Sequence, residues 1–134
     1  MNIGDKIPEI LGTDQNGKEI KSSDYRGRKI ILYTYPKANT SGCTAEACSL
    51  QEHKQELANL GYEIIGVSKD KQETQAKFAT NYGLEFPLIA DTNTELLQAL
   101  GAWGEKVACG RRTIGTLRTT YLVNEDGIIE RIFT

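Results

Sequence analysis

The chain has 134 residues, of which 39% are hydrophobic and 25% charged, and its net charge at pH 7 is −2. This length suits one domain with a buried core, and the charge argues against a nucleic-acid or anionic-membrane surface, because both need clustered positive charge. The N-terminus lacks the basic segment followed by an apolar one that is typical of a secretory signal, and no apolar run is long enough to cross a membrane. We therefore expect a cytoplasmic protein with no membrane partner, in which three cysteines indicate one reactive pair and one additional thiol.

The first residues predict a β-hairpin. Short extended segments at 9–14 and 18–21 flank Asn16-Gly17, a dipeptide that tolerates the positive φ angles of a tight turn. A capped helical turn is predicted next, at 22–25, and Gly27 ends it.

Strands and helices then alternate along the chain. Three apolar runs rich in β-branched or aromatic residues predict buried strands, at 29–35, 62–68 and 86–90. Three runs with helical spacing, each followed by a glycine, predict helices, at 44–60, 71–82 and 95–100. The polar, glycine-bearing segment 104–117 is predicted to be a loop, and 118–133 a closing hairpin around Asp126-Gly127.

This order of elements predicts the fold class. Alternating strands and helices indicate an α/β domain covering 1–134, with a central mixed β-sheet flanked by helices and an N-terminal β-hairpin. The sheet is expected to be mostly parallel, because each crossover contains a helix, and the closing hairpin adds antiparallel strands.

Two of the three cysteines lie where the first buried strand passes into the first helix. Cys43 is at the predicted N-terminus of this helix and Cys48 follows five residues later. Backbone N–H groups are unpaired at a helix N-terminus and the helix dipole is positive there, so a thiolate is stabilised relative to a thiol. The sequence therefore predicts that Cys43 is a nucleophile.

The residues around these cysteines form a specific pattern. Pro36, Thr40 and Cys43 follow Pro-x-x-x-Thr-x-x-Cys, and the wider string Tyr-Pro-Lys-x-x-Thr-x-Gly-Cys-Thr-x-Glu-Ala-Cys resembles that of peroxiredoxins. The closest resemblance is to the bacterioferritin-comigratory, or peroxiredoxin Q, subfamily. Further matching segments cover nearly the whole chain, among them 66–68, 86–88, 101–106 and 118–120. The resemblance implies a thioredoxin-like fold and thiol-dependent reduction of peroxides.

The resemblance also implies a role for each residue of the pattern. Cys43 resembles the peroxidatic cysteine and Cys48 the resolving cysteine, with Thr40, Pro36 and Arg118 as supporting residues. The Arg118 guanidinium would favour the thiolate that peroxide attack requires, and the Thr40 hydroxyl could donate to sulfur or peroxide oxygen. Pro36 would shield the thiolate from water. The sulfenic acid product would then condense with Cys48 to form a disulfide.

The spacing of Cys43 and Cys48 predicts a conformational change. On an intact helix, residues five apart are separated by about 7.5 Å along the axis and about 140° around it. A disulfide needs Cα atoms within about 7 Å and converging Cβ vectors. We therefore expect the helix to unwind when the disulfide forms.

The resemblance implies a set of partners. Hydrogen peroxide and small organic hydroperoxides would be the substrates, thioredoxin or glutaredoxin the reductant, and the enzyme a monomer without cofactor or metal. Two features depart from the family pattern. Ser41 stands where many members have proline, and the chain ends at Thr134, where relatives usually continue into a C-terminal helix that covers the sheet.

Other interpretations of the cysteines are less consistent with the sequence. A thioredoxin-type disulfide carrier normally uses Cys-x-x-Cys, whereas four residues separate Cys43 and Cys48. A copper-handling protein of this fold would use soft thiolate ligands in Cys-x-x-x-Cys and a distant downstream histidine, and the one histidine here is His53. Cys109 is interpreted as an ordinary thiol of a polar loop, without a redox role.

Overall fold

A computed structural model describes the backbone of residues 1–134 and the side chains of all of them except residue 108. The N-terminal hairpin is present as predicted, with strands β1 (Ile10–Thr13) and β2 (Glu19–Lys21) paired antiparallel. The Asp14 carboxylate accepts hydrogen bonds from two N–H groups of the turn, and Gly17 has a φ of 78°. A 3₁₀ helix follows at Ser22–Tyr25, also as predicted.

A five-stranded mixed sheet forms the centre of the molecule. The parallel strands are β3 (Lys29–Thr34), β4 (Tyr62–Ser68) and β5 (Leu88–Ala90). The antiparallel strands are β8 (Thr119–Val123) and β9 (Ile129–Phe133), which form the predicted closing hairpin. The five strands lie in the order β5-β4-β3-β8-β9. The central strand, β3, is buried on both faces, and this explains its uninterrupted apolar sequence.

Four helices connect these strands: α1 (Ser41–Glu52), α2 (Lys54–Asn59), α3 (Gln72–Tyr82) and α4 (Glu95–Leu100). The single helix predicted at 44–60 is wrong in two respects, because helix α1 begins three residues earlier and ends before His53. Thr40 has extended backbone angles and is the N-cap, which places the start at Ser41. At His53, both the backbone N–H and the ring Nδ1 lie within hydrogen-bonding distance of the Ser49 carbonyl, and the ψ angle of 6° interrupts the helix.

The segment predicted to be a loop, 104–117, instead forms a second hairpin. Strands β6 (Trp103–Ala108) and β7 (Arg111–Thr116) pair antiparallel along their full length. Cys109 and Gly110 have φ angles of 52° and 76°, as in a two-residue hairpin turn of type I′. The prediction failed because most of the described side chains of this hairpin are exposed, so burial imposes little strand alternation on its sequence.

Two apolar clusters pack against the central sheet. Ile30 and Leu32 belong to the cluster that includes helix α4 and the N-terminal hairpin. Tyr33, two buried aromatic neighbours and Cys43 belong to the other, which includes helices α1 and α3. Alternate side chains of a strand point to opposite faces, so strand β3 supplies both clusters. Among the described residues, no helix is long and apolar enough to span a membrane.

Candidate active site

Cys43 lies in the first turn of helix α1, where the chain arrives from strand β3. Its side chain is 1% exposed. The helix begins after Thr40, whose carbonyl accepts the Thr44 N–H at 2.8 Å. The N–H groups of the first turn have no acceptor within the helix, and the positive end of the helix dipole lies here. The unpaired N–H groups and the helix dipole therefore favour negative charge at the position of the buried sulfur.

Arg118 is the nearest cation to this sulfur. Its Nη2 lies 3.1 Å from Cys43 Sγ, although 75 positions separate the two residues in sequence. Arg118 is in the two-residue connection between strands β7 and β8, and its side chain is 46% exposed. A guanidinium at this distance stabilises a thiolate by a charge-assisted hydrogen bond.

Glu46 lies close to the same guanidinium. The distance from Arg118 Nη1 to Glu46 Oε1 is 3.9 Å, which is within reach of an ion pair but too long for a hydrogen bond. Burial raises the pKa of Glu46 above its usual 4.5, while the Arg118 charge lowers it. The carboxylate and the sulfur therefore both lie close to the Arg118 guanidinium.

Thr40 makes a different hydrogen bond from the one expected. Its hydroxyl donates to the Lys37 carbonyl at 2.9 Å, and so does not donate to Cys43 Sγ. The side chain is exposed and does not cap helix α1. The Thr40 oxygen keeps its capacity to accept a hydrogen bond.

The loop before helix α1 is anchored by a buried polar network. The Asp70 carboxylate accepts the Ala38 N–H and the Ser68 hydroxyl, each at 2.7 Å. The Gln75 amide donates to Ser68 Oγ at 2.9 Å and accepts a hydrogen bond from the Tyr35 hydroxyl. This network ties the loop to strand β4 and helix α3. Pro36, in the same loop, is half-buried.

Cys48 is half-buried in the second turn of helix α1. It is a free thiol, as are Cys43 and Cys109, and the helix is continuous between the first two. Cys109 is exposed at the turn of the second hairpin. Among the described side chains, no group of three or more His, Cys, Asp or Glu residues is placed to hold a metal ion.

Comparison with known proteins identifies the family. The model of the AhpC/TSA family matches residues 3–132. This chain belongs to the AhpC/TSA family. A putative peroxiredoxin of Mycobacterium tuberculosis is 42% identical over 129 residues, which cover 96% of this chain and 82% of that protein. Peroxiredoxin Bcp of Escherichia coli is 36% identical over 133 residues, 99% of this chain and 85% of the relative.

A solved structure supports the same assignment. The bacterioferritin comigratory protein of Xanthomonas campestris, described with its alkyl peroxide reduction activity, superposes with a TM-score of 0.85 at 25% identity. The superposition covers 96% of this chain and 87% of that one. The protein is therefore a peroxiredoxin of the Bcp type, an oxidoreductase with a thioredoxin-like fold, as the sequence motif indicated.

The sequence of this peroxiredoxin pointed to Cys43 and Arg118, which the structure brings together, but not to Glu46 or Asp70. Glu46 is part of the quoted motif, and its position one turn after Cys43 on the helix was the available signal. Asp70 had a weaker signal, because it lies just beyond the carboxyl end of a buried strand, where parallel strands present functional side chains.

Proposed function

We propose that Cys43 reduces hydrogen peroxide and organic hydroperoxides, that Cys48 resolves the product as an intramolecular disulfide, and that a thioredoxin or glutaredoxin dithiol restores both thiols. The observation that carries this proposal is the 3.1 Å distance between Arg118 Nη2 and Cys43 Sγ at the start of helix α1. The alkyl peroxide reduction described for the Xanthomonas campestris relative supports organic hydroperoxides as a substrate class.

In the first step the Cys43 thiolate attacks one peroxide oxygen. The S–O bond forms as the O–O bond breaks, so sulfur is oxidised to a sulfenic acid and the leaving alkoxide or hydroxide takes a proton to become an alcohol or water. Negative charge moves from sulfur to the leaving oxygen. The Arg118 guanidinium, which has donors on several nitrogens, stays next to this charge throughout.

Thr40 contributes as a hydrogen-bond acceptor in this proposal. Because its proton is directed to the Lys37 carbonyl, the free lone pairs of Thr40 Oγ1 are available to the O–H of an incoming peroxide. This would orient the substrate with respect to the sulfur. Pro36, half-buried in the loop before helix α1 and without an N–H, limits access of water.

In the second step the Cys48 thiol attacks the sulfenic sulfur and releases water. Both cysteines lie on the continuous helix α1, where a five-residue separation holds them too far apart and on different sides. Helix α1 must therefore unwind between them. An external dithiol then reduces the disulfide by thiol–disulfide exchange, becoming a disulfide itself, and the helix can re-form.

Two single variants test the assignment of the cysteines. Cys43→Ser should consume no peroxide with a dithiol reductant. Cys48→Ser should consume one equivalent in a single turnover and accumulate the sulfenic acid, detected by mass spectrometry with a sulfenate-trapping reagent. Cys109→Ser is the matched control and should keep wild-type turnover. Turnover by Cys43→Ser, or a mapped disulfide that contains Cys109, would contradict the proposal.

Amide hydrogen exchange tests the unwinding. Residues 41–52 should exchange faster in the disulfide form than in the reduced form, while strand β3 remains protected in both. Equal exchange across helix α1 in the two redox forms would show that the disulfide closes without unwinding.

A further inference from the structure

Thr34, the last residue of strand β3, has a buried hydroxyl that no step of the proposed mechanism uses. Its side chain is 1% exposed. The hydroxyl donates to the Leu117 carbonyl at 2.7 Å, with the Thr119 carbonyl at 3.3 Å as a longer alternative. The same oxygen accepts the Thr119 N–H at 3.0 Å. One side chain thus binds the backbone on both sides of Arg118.

The backbone at Arg118 has two other hydrogen bonds beside it, and the longer one runs from the Thr119 hydroxyl to the Leu117 carbonyl, at 3.3 Å. Leu117 and Arg118 form the connection between strands β7 and β8, and Arg118 has no strand partner. The Leu117 N–H donates to the Ala102 carbonyl at 2.7 Å, and this hydrogen bond attaches Leu117 to the residue that directly precedes strand β6. The Thr34 hydroxyl fixes the connection to the central sheet, directly behind the chain segment from which the guanidinium extends.

The position of the guanidinium depends on this attachment. Arg118 Nη2 is 3.1 Å from Cys43 Sγ, and its side chain is 46% exposed, so packing restrains it only in part. Glu46 also attracts this group, at 3.9 Å from Arg118 Nη1. Because packing restrains the guanidinium only in part, a shift of the Arg118 backbone would change the distance from the guanidinium to the Cys43 sulfur.

We propose that Thr34 is a positioning residue for peroxide reduction, whose hydroxyl holds the Leu117–Thr119 backbone so that Arg118 stays in contact with the Cys43 sulfur. This inference rests on the proposed role of Arg118. Thr34 does not touch the reacting atoms and acts through the arginine. The hydroxyl is the essential part, because its oxygen both donates to Leu117 and accepts from Thr119, which a methyl group of the same size cannot do.

The experiment compares Thr34→Val, Thr34→Ser and Thr116→Val. Valine keeps the shape of threonine and removes the hydroxyl, whereas serine keeps the hydroxyl. Thr116→Val is the matched control, because the Thr116 hydroxyl is also buried and has no hydrogen-bond partner among the described residues. Arg118→Met tests the arginine itself. Two quantities are measured: the second-order rate constant with hydrogen peroxide, and the pH dependence of Cys43 alkylation by iodoacetamide in a Cys48→Ser, Cys109→Ser background.

Thr34→Val should lower the peroxide rate constant by about three- to tenfold, the range that one ordinary hydrogen bond provides. Its alkylation profile should move to higher pH, because a displaced cation stabilises the thiolate less. Thr34→Ser should return both quantities to within about twofold of wild type, since it restores that hydrogen bond. Thr116→Val should leave both unchanged, and Arg118→Met should show the larger loss.

Each other outcome overturns a defined claim. If Arg118→Met is slow but Thr34→Val matches wild type, the role of Thr34 is wrong and the proposed function stands. If Arg118→Met is as fast as wild type, the role of Arg118 is wrong, and the inference with it. A slow Thr34→Val protein with an unchanged pH profile, or one that serine does not rescue, indicates general destabilisation and also overturns the inference. If Thr34→Val does not fold, Thr34→Ala replaces it against Thr34→Ser with the same criteria.

Discussion

Gly42 lies next to Cys43 in helix α1, and its missing side chain leaves room for Arg118. A Cβ atom built on Gly42 would lie 3.0 Å from Arg118 Nη2, closer than carbon and nitrogen normally approach. The φ angle of Gly42 is outside the left-handed region, so alanine fits the backbone without strain. Gly42→Ala should therefore displace the end of the Arg118 side chain while leaving the helix intact.

The expected size of the effect follows from the distances. Two unit charges 3.1 Å apart interact by about 5.4 kcal/mol at an effective dielectric constant of about 20. Moving the guanidinium back by about 0.5 Å reduces this by about 0.7 kcal/mol. Solvent screens the half-exposed Arg118, so we expect the peroxide rate constant to fall by about two- to threefold. Helix stability should move the other way, by up to about 1 kcal/mol, because alanine is the better helix former.

The assay separates these two changes. Stopped-flow kinetics with hydrogen peroxide gives the rate constant, and thermal unfolding followed by circular dichroism gives the stability of the reduced protein. Gly104→Ala is the control, because its Cβ would meet only Leu117 Cδ1, at an ordinary 3.7 Å, and its φ is also permissive. A Gly42→Ala protein that is as fast as wild type would show that contact between Arg118 and the sulfur does not limit the reaction.

Three further predictions concern buried polar groups around the site. Tyr33→Phe should raise the melting temperature, because the buried Tyr33 hydroxyl has no hydrogen-bond partner among the described residues. Tyr35→Phe should lower the free energy of unfolding by about 1 kcal/mol, because the Tyr35 hydroxyl donates to the buried Gln75 side chain. Equal thermal shifts in the two variants would contradict this. Burial raises the pKa of Glu46, so protonation of Glu46 favours the folded state below about pH 4.5, and this contribution is lost as the pH rises through the raised pKa. Glu46→Gln should therefore be more stable than wild type at pH 7, and denaturant titrations should show the difference shrinking toward pH 4.5; a gap that does not change with pH would contradict this. Asp70→Ala should release the Ala38 N–H and lower kcat/KM for peroxide by about tenfold, a loss that unchanged steady-state kinetics would refute.

The elements that build the core could be predicted because burial imposes a clear apolar pattern on their sequences. Strand β4 and helix α4 have the predicted limits, since each begins and ends where apolar residues or a terminating glycine require it. The hairpin of strands β6 and β7 could not be found in this way. Val107 and Ile114 are its large aliphatic residues and are 69% and 71% exposed, so burial leaves no pattern in its sequence. Only the Cys109-Gly110 turn carried a signal.

The candidate site could be indicated where a local motif exists and not where tertiary contacts define it. The strand-to-helix junction indicated Cys43 and the family resemblance indicated Arg118, and the structure brings the two together. The hydrogen bond of Thr40 differs from the expected one, because its hydroxyl donates to the Lys37 carbonyl, three residues earlier, a backbone acceptor that the motif does not reveal. Thr34 could not be found, because a buried strand threonine becomes informative only when the partner strand is known.

The antiparallel pairing of strands β3 and β8 also determines when Arg118 reaches Cys43 during folding. Thr34 pairs with Thr119, and this register carries Arg118 to a cysteine made 75 residues earlier in synthesis. Closing so long a loop is a late, entropically costly event in folding. Until it happens, Cys43 lacks the neighbouring guanidinium and belongs to a flexible chain. If Arg118 activates Cys43 as we propose, unfinished or misfolded copies would react slowly with peroxide, because the arginine reaches the sulfur only in the completed fold.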